Sequence, residues 1–440
     1  MLWKRLMAIA LAGMAATTRA AAQDAAGKID TGDTAWMLVS CALVMLMTPG
    51  LALFYGGMVR QKNVLSTLMH SFTILAVATV HWAVIGYALA FGPSLGGFIG
   101  KPVWAFLSGV GQEPNADYAA TIPHAVFMAF QMMFAIITPA LISGAIAERM
   151  KFSTFVVFVI CWLTLVYAPV AHWVWGVGGW LRNMGALDFA GGTVVHISSG
   201  VSGLVAALML RPRLGYLREP MLPNNLTLTV LGAGLLWFGW FGFNAGSALT
   251  AGGLAASAFV ATHIASAAAT LSWIIVEWLH RRKPSALGAV SGCVAGLVAV
   301  TPAAGFVSPQ SALIIGLIAG AVCYGAVIVK PRLRYDDSLD AFGIHGVGGT
   351  TGALLTGVFA SKMVNSAGAD GLIYGGFSLF NVQVLAIGAT WLYAAVVTAV
   401  ILKVLDALMG LRVREEEEVA GLDLTLHGES GYNFMSEATV

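Results

Sequence analysis

His196 and His345 each follow an aspartate by eight residues, in the strings Asp188-Phe-Ala-Gly-Gly-Thr-Val-Val-His196 and Asp337-Ser-Leu-Asp-Ala-Phe-Gly-Ile-His345. A neutral imidazole offers one donor and one acceptor, so two facing rings can share a proton and still meet a passing molecule. Burial between apolar helices disfavours the charged form. Ionisable groups at membrane depth are costly and mark translocation paths. Two of them in matching halves of one chain point to a transporter whose site lies near the membrane midplane.

The surroundings support that depth. Of 440 residues, 58% are hydrophobic and only 10% charged, against about 25% charged in a soluble domain. An all-α polytopic membrane protein is expected. A net charge of +2 gives no reason to expect nucleic acid as a partner. Cys41, Cys161, Cys293 and Cys323 stand singly in apolar runs, as packing residues do. The chain carries no Walker-type loop, no HExxH and no nucleophile elbow. Those absences argue against ATP-driven transport and against an enzyme, and no cofactor or metal is expected.

Residues 1–22 read as a cleavable signal peptide: Lys4 and Arg5, a short apolar stretch from Leu6 to Ala16, and an Ala20-Ala21-Ala22 exit. Eleven apolar segments follow, near 35–59, 64–92, 120–147, 153–175, 189–210, 225–247, 257–279, 286–305, 311–329, 338–361 and 382–409. With the amino terminus outside, the inner loops carry Arg60, Lys62, Arg149, Lys151, Arg211, Arg213, Arg218, Arg281, Arg282, Lys283, Lys330, Arg332 and Arg334. The outer loops hold few basic residues, as the positive-inside rule requires. An odd count leaves the tail in the cytoplasm and allows a 5+5 inverted repeat plus one extra helix. Residues 23–409 would form the transport domain and 410–440 a cytoplasmic regulatory tail.

The two Asp–His strings then occupy spans 5 and 10, which run in opposite directions. At about 1.5 Å per residue, each histidine lies roughly 12 Å below its aspartate. In a core about 30 Å thick the two would reach similar heights near the centre, which leaves lateral contact open. Eight residues also make about 2.2 turns, which carries Asp188 well round the helix from His196. A role at the helix start fits it better, where a carboxylate accepts backbone N–H groups and favours the positive end of the dipole. The remaining intramembrane histidines, His70, His81, His124, His172 and His263, are expected to make ordinary interhelical hydrogen bonds.

The span-5 string resembles the signature of the ammonium transporter family (Amt/MEP/Rh). Pro49-Gly50-Leu51-Ala52-Leu53-Phe54-Tyr55-Gly56-Gly57, Ala129-Phe130-Gln131, Trp240-Phe241-Gly242-Phe243-Asn244-Ala245-Gly246-Ser247 and Phe342-Gly343-Ile344-His345-Gly346 agree with it, in order and over almost the whole mature chain. The chain is most similar to bacterial Amt proteins. The resemblance implies that Trp175, Ser247, Phe134 and Phe130 form an outer recruitment site for ammonium. An aromatic face attracts a cation, by about 2 kcal/mol when desolvated, and a hydroxyl accepts its hydrogen bond. It implies a phenyl gate of Phe134 and Phe243, a pore lined by His196, His345 and Trp240, and electrostatic or structural roles for Asp188 and Asp337.

The resemblance also implies a homotrimer in a bacterial inner membrane, in contact with its lipids. Ammonium or ammonia would be the substrate, with methylammonium a candidate analogue. The tail pattern Gly421-Leu-Asp-Leu-Thr-Leu-His-Gly-Glu-Ser-Gly-Tyr432 resembles tails that meet a PII-type regulatory protein at the cytoplasmic face. Two rival readings remain: a passive Rh-like channel for NH3 or CO2, and an ammonium sensor.

Overall fold

The structure, a computed structural model, describes residues 28–432. The expected signal peptide and residues 433–440 of the tail lie outside the described residues. The membrane helices are α1 (Thr31–Met58), α2 (Gln61–Phe91), α3 (His124–Ile146), α4 (Phe152–Val174), α5 (Gly192–Leu210), α6 (Leu226–Ala248), α7 (Gly253–Arg281), α8 (Ala286–Val300), α9 (Pro309–Leu333), α10 (Phe342–Gly346 continuing as Val347–Phe359) and α11 (Phe377–Met409). Nine of them, among the described residues, are long and apolar enough to cross a membrane; α8 and α10 are shorter. The eleven segments of the sequence thus each become a helix. Strands are confined to two ribbons between α2 and α3, β1 (Ser94–Leu95) with β2 (Ile99–Gly100) and β3 (Pro114–Asn115) with β4 (Ala119–Pro123). The apolar run from 120 opens as β4 because a residue before proline, here Ile122, avoids the helical region.

Close helix crossings repeat between the halves. α1 and α6 cross where Gly50 meets Leu235 and Gly232 meets the backbone of Phe54 and Gly50. α5 and α10 cross where Gly200 meets the backbone of Gly346 and Gly349 meets Gly192 and His196. A side chain at any of these glycines would push the backbones apart, so small residues set the crossing. First pairs with sixth and fifth with tenth, the pairing of an inverted repeat. The apolar windows of α3 and α5 are 78% buried, against 33% for α11. The centre of the bundle is therefore built from α3, α5 and their partners, with α11 outside.

The basic loops gather on one face. Glu148 pairs with Arg60 at 2.7 Å and Arg213 at 3.2 Å, and Arg213 pairs with Asp336 at 2.8 Å. The tail folds back onto this face as α12 (Glu415–Ala420) and α13 (Leu422–His427). Lys62 donates to Glu418 O and Val419 O, Leu422 N–H to Asn63 Oδ1, Ser66 N–H to Asp423 Oδ1, and Tyr432 O–H to Asn224 Oδ1. The opposite end of the bundle is called the far face below.

Candidate functional site

At the far face α4 ends in Trp175, which closes the helix with φ −114° and ψ −27°. Its indole N–H donates to Asp188 O at 2.8 Å, and Arg182 donates to its carbonyl at 2.5 Å. These bonds fix the ring at the wall of a cavity of about 260 Å³, shared with Ser247, Asp188, Gln131 and Phe134. The Ser247 hydroxyl donates to Phe243 O at 2.8 Å, which turns its lone pairs outward as acceptors. Phe134 meets the Trp175 ring edge-on at 5.7 Å and 88°. Phe130 packs behind Phe134, ring centroids 5.0 Å apart, and is fully buried.

Phe134, at the wall of that cavity, is half of a pair of rings. Phe134 from α3 and Phe243 from α6 lie 4.3 Å apart at 36°, both buried. Below them the free space shrinks to about 10 Å³, bordered by His196, His345, Trp240 and Phe243 with apolar residues such as Leu51 and Ile137. That is about the room of one water molecule, with almost no polar wall to hold it.

His196 and His345 face each other with Nδ1 atoms 3.3 Å apart, ring centroids 5.3 Å apart and planes 19° from parallel. One proton fits between these nitrogens. The Nε2 of His196 is buried and has no hydrogen-bond partner. Trp240 stacks on His196 at 5.5 Å and 18°, and Phe243 follows at 6.0 Å and 25°.

Both histidines sit in wide π-type turns, Gly192–Ile197 and Phe342–Gly346, at the start of their helices. Such turns concentrate at functional sites. Each is held by the aspartate before it. Asp188 Oδ1 accepts from Gly191 and Gly192 and its Oδ2 from Thr193 and Val194, at 2.6–3.0 Å. Gly191 reaches this geometry at φ +117°, a conformation that suits glycine. Asp337 accepts from Ala341 at 3.1 Å and Phe342 at 2.7 Å. Both aspartates therefore cap the starts of their helices. Residues 188–191 lie outside the helix, and α5 begins only at Gly192.

Three of the other histidines behave as expected: His81 bonds Thr164, His124 bonds Tyr87, and His172 bonds Ala90 O and Ser94. Two do not. His70 is buried with both ring nitrogens unpartnered, edge-on to Phe155 at 4.3 Å. His263 is exposed on α7 and leans on Trp237 at 5.3 Å. Two further polar residues stand here without a role read from the sequence: Gln131, whose buried Oε1 has no partner at the cavity wall, and Thr301, which accepts the Trp240 indole N–H at 2.9 Å. Both are polar residues in apolar runs, and that is the signal they offered.

Residues 35–432 match the Ammonium Transporter Family model. The chain belongs to that family. It is 57% identical over 402 residues to an ammonium transporter of Bacillus subtilis, covering 91% of this chain and 98% of that protein. An ammonium transporter of Aquifex aeolicus is 53% identical over 408 residues, covering 92% and 94%. Among solved structures, Saccharomyces cerevisiae Mep2 superposes with a TM-score of 0.82 at 38% identity, over 88% of this chain and 91% of that one. A structure described as a sensor Amt protein reaches a TM-score of 0.82 at 29% identity, over 90% and 98%.

Proposed function

We propose that this ammonium transporter recruits NH4+ at Trp175 and Ser247, takes its proton past the Phe134–Phe243 gate, and conducts NH3 past His196 and His345. The observation that carries the reading is the contrast between a cavity of about 260 Å³, lined by Phe134, and a space of about 10 Å³, lined by Phe243, with those two rings tilted together at 4.3 Å. The first suits a cation, with an aromatic face and a hydroxyl acceptor. The second penalises any bare cation heavily, because nothing replaces its hydration. Ammonium escapes that penalty by giving up its proton, which the histidine pair relays separately from NH3; potassium has no proton to give. Phe130 backs the gate, and Asp188 adds negative charge beside the entrance. A passive channel for NH3 or CO2 has no use for a cation site, so Trp175 and Ser247 favour the ammonium reading.

The chain then works as a homotrimer in a bacterial inner membrane, surrounded by lipid, with the basic face and tail in the cytoplasm and methylammonium as an accepted analogue. Residues 1–22 are its signal peptide, and the tail, docked on the loops, is where a PII-type protein acts. Replacing both His196 and His345 by alanine tests the core of this reading. Ammonium-evoked current in proteoliposomes should fall by about 100-fold or more, the usual weight of a proton acceptor. Wild-type current from that variant would remove the pair from the mechanism.

A further inference from the structure

Thr301 and Pro302 follow α8 and border neither cavity, yet each touches a residue beside or before His196: Thr301 touches Trp240 and Pro302 packs on Gly192. Thr301 is fully buried. Its hydroxyl donates to Leu297 O at 2.7 Å, one turn back, which directs its lone pairs at α6. There it accepts the Trp240 indole N–H at 2.9 Å. An indole has one donor and no acceptor, so this bond fixes how the ring is turned. The ring so fixed lies 18° from the plane of His196. On the other flank, Pro302 packs against Gly192, the first residue of the turn that carries His196; a Cβ on Gly192 would come within 2.5 Å of Pro302 Cγ. The Pro302 carbonyl also accepts from Phe189 N–H at 3.1 Å.

The two imidazoles are therefore not equivalent. His196 has Trp240 and Phe243 stacked against it, whereas His345, among the described aromatic contacts, has only His196. An aromatic face favours a cation against it. His196 also holds the buried, unpartnered Nε2. The geometry points to Thr301 as a positioning residue that makes His196 the imidazole which takes the proton of ammonium, by keeping the Trp240 indole flat upon it. In that step an N–H bond of NH4+ breaks, its electron pair stays on nitrogen to give NH3, and the proton bonds His196 Nε2. The Nδ1–H of the imidazolium then faces His345 Nδ1 at 3.3 Å and can pass on. The inference rests on the proposed recruitment and deprotonation.

Thr301→Val keeps the shape and removes the acceptor; Thr301→Ser keeps the hydroxyl. Both are compared with wild type in proteoliposomes by ammonium-evoked current, and by charge moved per molecule of labelled methylammonium taken up. Thr301→Val should lower the current about tenfold and lower the charge per labelled molecule, with Thr301→Ser restoring both. A merely structural role predicts another pattern: both variants lose flux and thermal stability together at an unchanged charge ratio, and that result overturns the inference. So does a Thr301→Val protein that matches wild type in current and ratio. A wild type that passes no ammonium current overturns the proposed function together with this inference, so the two failures are told apart.

Discussion

Asp188 receives four backbone N–H groups and pairs with no side-chain cation among the described residues. Asp337, its counterpart, receives two, and Lys330 stands beside it, donating to Asp337 O at 2.8 Å and pairing with Asp340 at 2.5 Å. Both aspartates start a helix that carries one of the two facing histidines, so the capping device is the same. The charge balance is not. At the far face a carboxylate without a cationic side-chain partner borders the cavity of about 260 Å³; at the basic face the matching carboxylate has Lys330 beside it, shared with the carboxylate of Asp340. The two halves of the inverted repeat thus differ in what surrounds the matching residue in each.

The strongest way to break this comparison is to remove each carboxylate. Asp188→Ala leaves four buried N–H groups unanswered, at about 1–3 kcal/mol each, and Asp337→Ala leaves two. Thermal melting in detergent should fall roughly twice as far for the first as for the second. Equal losses would mean the caps are equivalent. The charges are separated from the caps by amides. Asp188→Asn should lower ammonium current about tenfold, because a steering charge at the entrance is lost, while Asp337→Asn changes it about twofold at most. The reverse order would place the functional charge at the wrong end.

A smaller effect sharpens the far-face half alone. Trp175→Leu should raise the half-saturating ammonium concentration about tenfold and leave the flux of neutral analogues unchanged. An unchanged half-saturation would take Trp175 out of recruitment. The smallest effect concerns the basic face. Burial raises the Glu148 carboxyl, but Arg213 and Arg60 outweigh it and hold it below the ordinary carboxylate range. Asp336 is held low in the same way, its hydrogen bonds and charge pairing with Arg213 overcoming burial. Carboxyls held down by folding contribute stability that is complete above their unfolded values of about 4 and is lost as pH falls through the folded ones. Melting should therefore be steady from neutral pH to about 5 and drop in stronger acid, less so in Glu148→Gln. A profile that Glu148→Gln leaves unaltered would detach this network from stability.

Much of this was legible in the residues because membrane depth punishes polarity. A histidine or aspartate inside an apolar run stands out, and the opposite directions of α5 and α10 bring His196 and His345 to similar depth; that they face each other is seen only in the structure. The details that escaped depend on backbone geometry that apolar periodicity does not encode. Nothing in Gly-Gly-Thr-Val-Val-His says that the first turn is wide or that helix starts only at Gly192; that follows from Asp188 collecting four N–H groups at once. Thr301 reads as one more small residue in an alanine- and valine-rich helix until the Trp240 indole is seen to need an acceptor. His70 shows the opposite error: a buried imidazole expected to find a partner packs instead against Phe155.

The most direct test is electrical recording from purified protein in proteoliposomes, with ammonium, methylammonium and potassium applied in turn at equal concentration. A dry passage behind an aromatic cation site predicts a saturable current with ammonium, a smaller one with methylammonium, and none with potassium. A potassium current, or an ammonium current that rises without saturating, would contradict it.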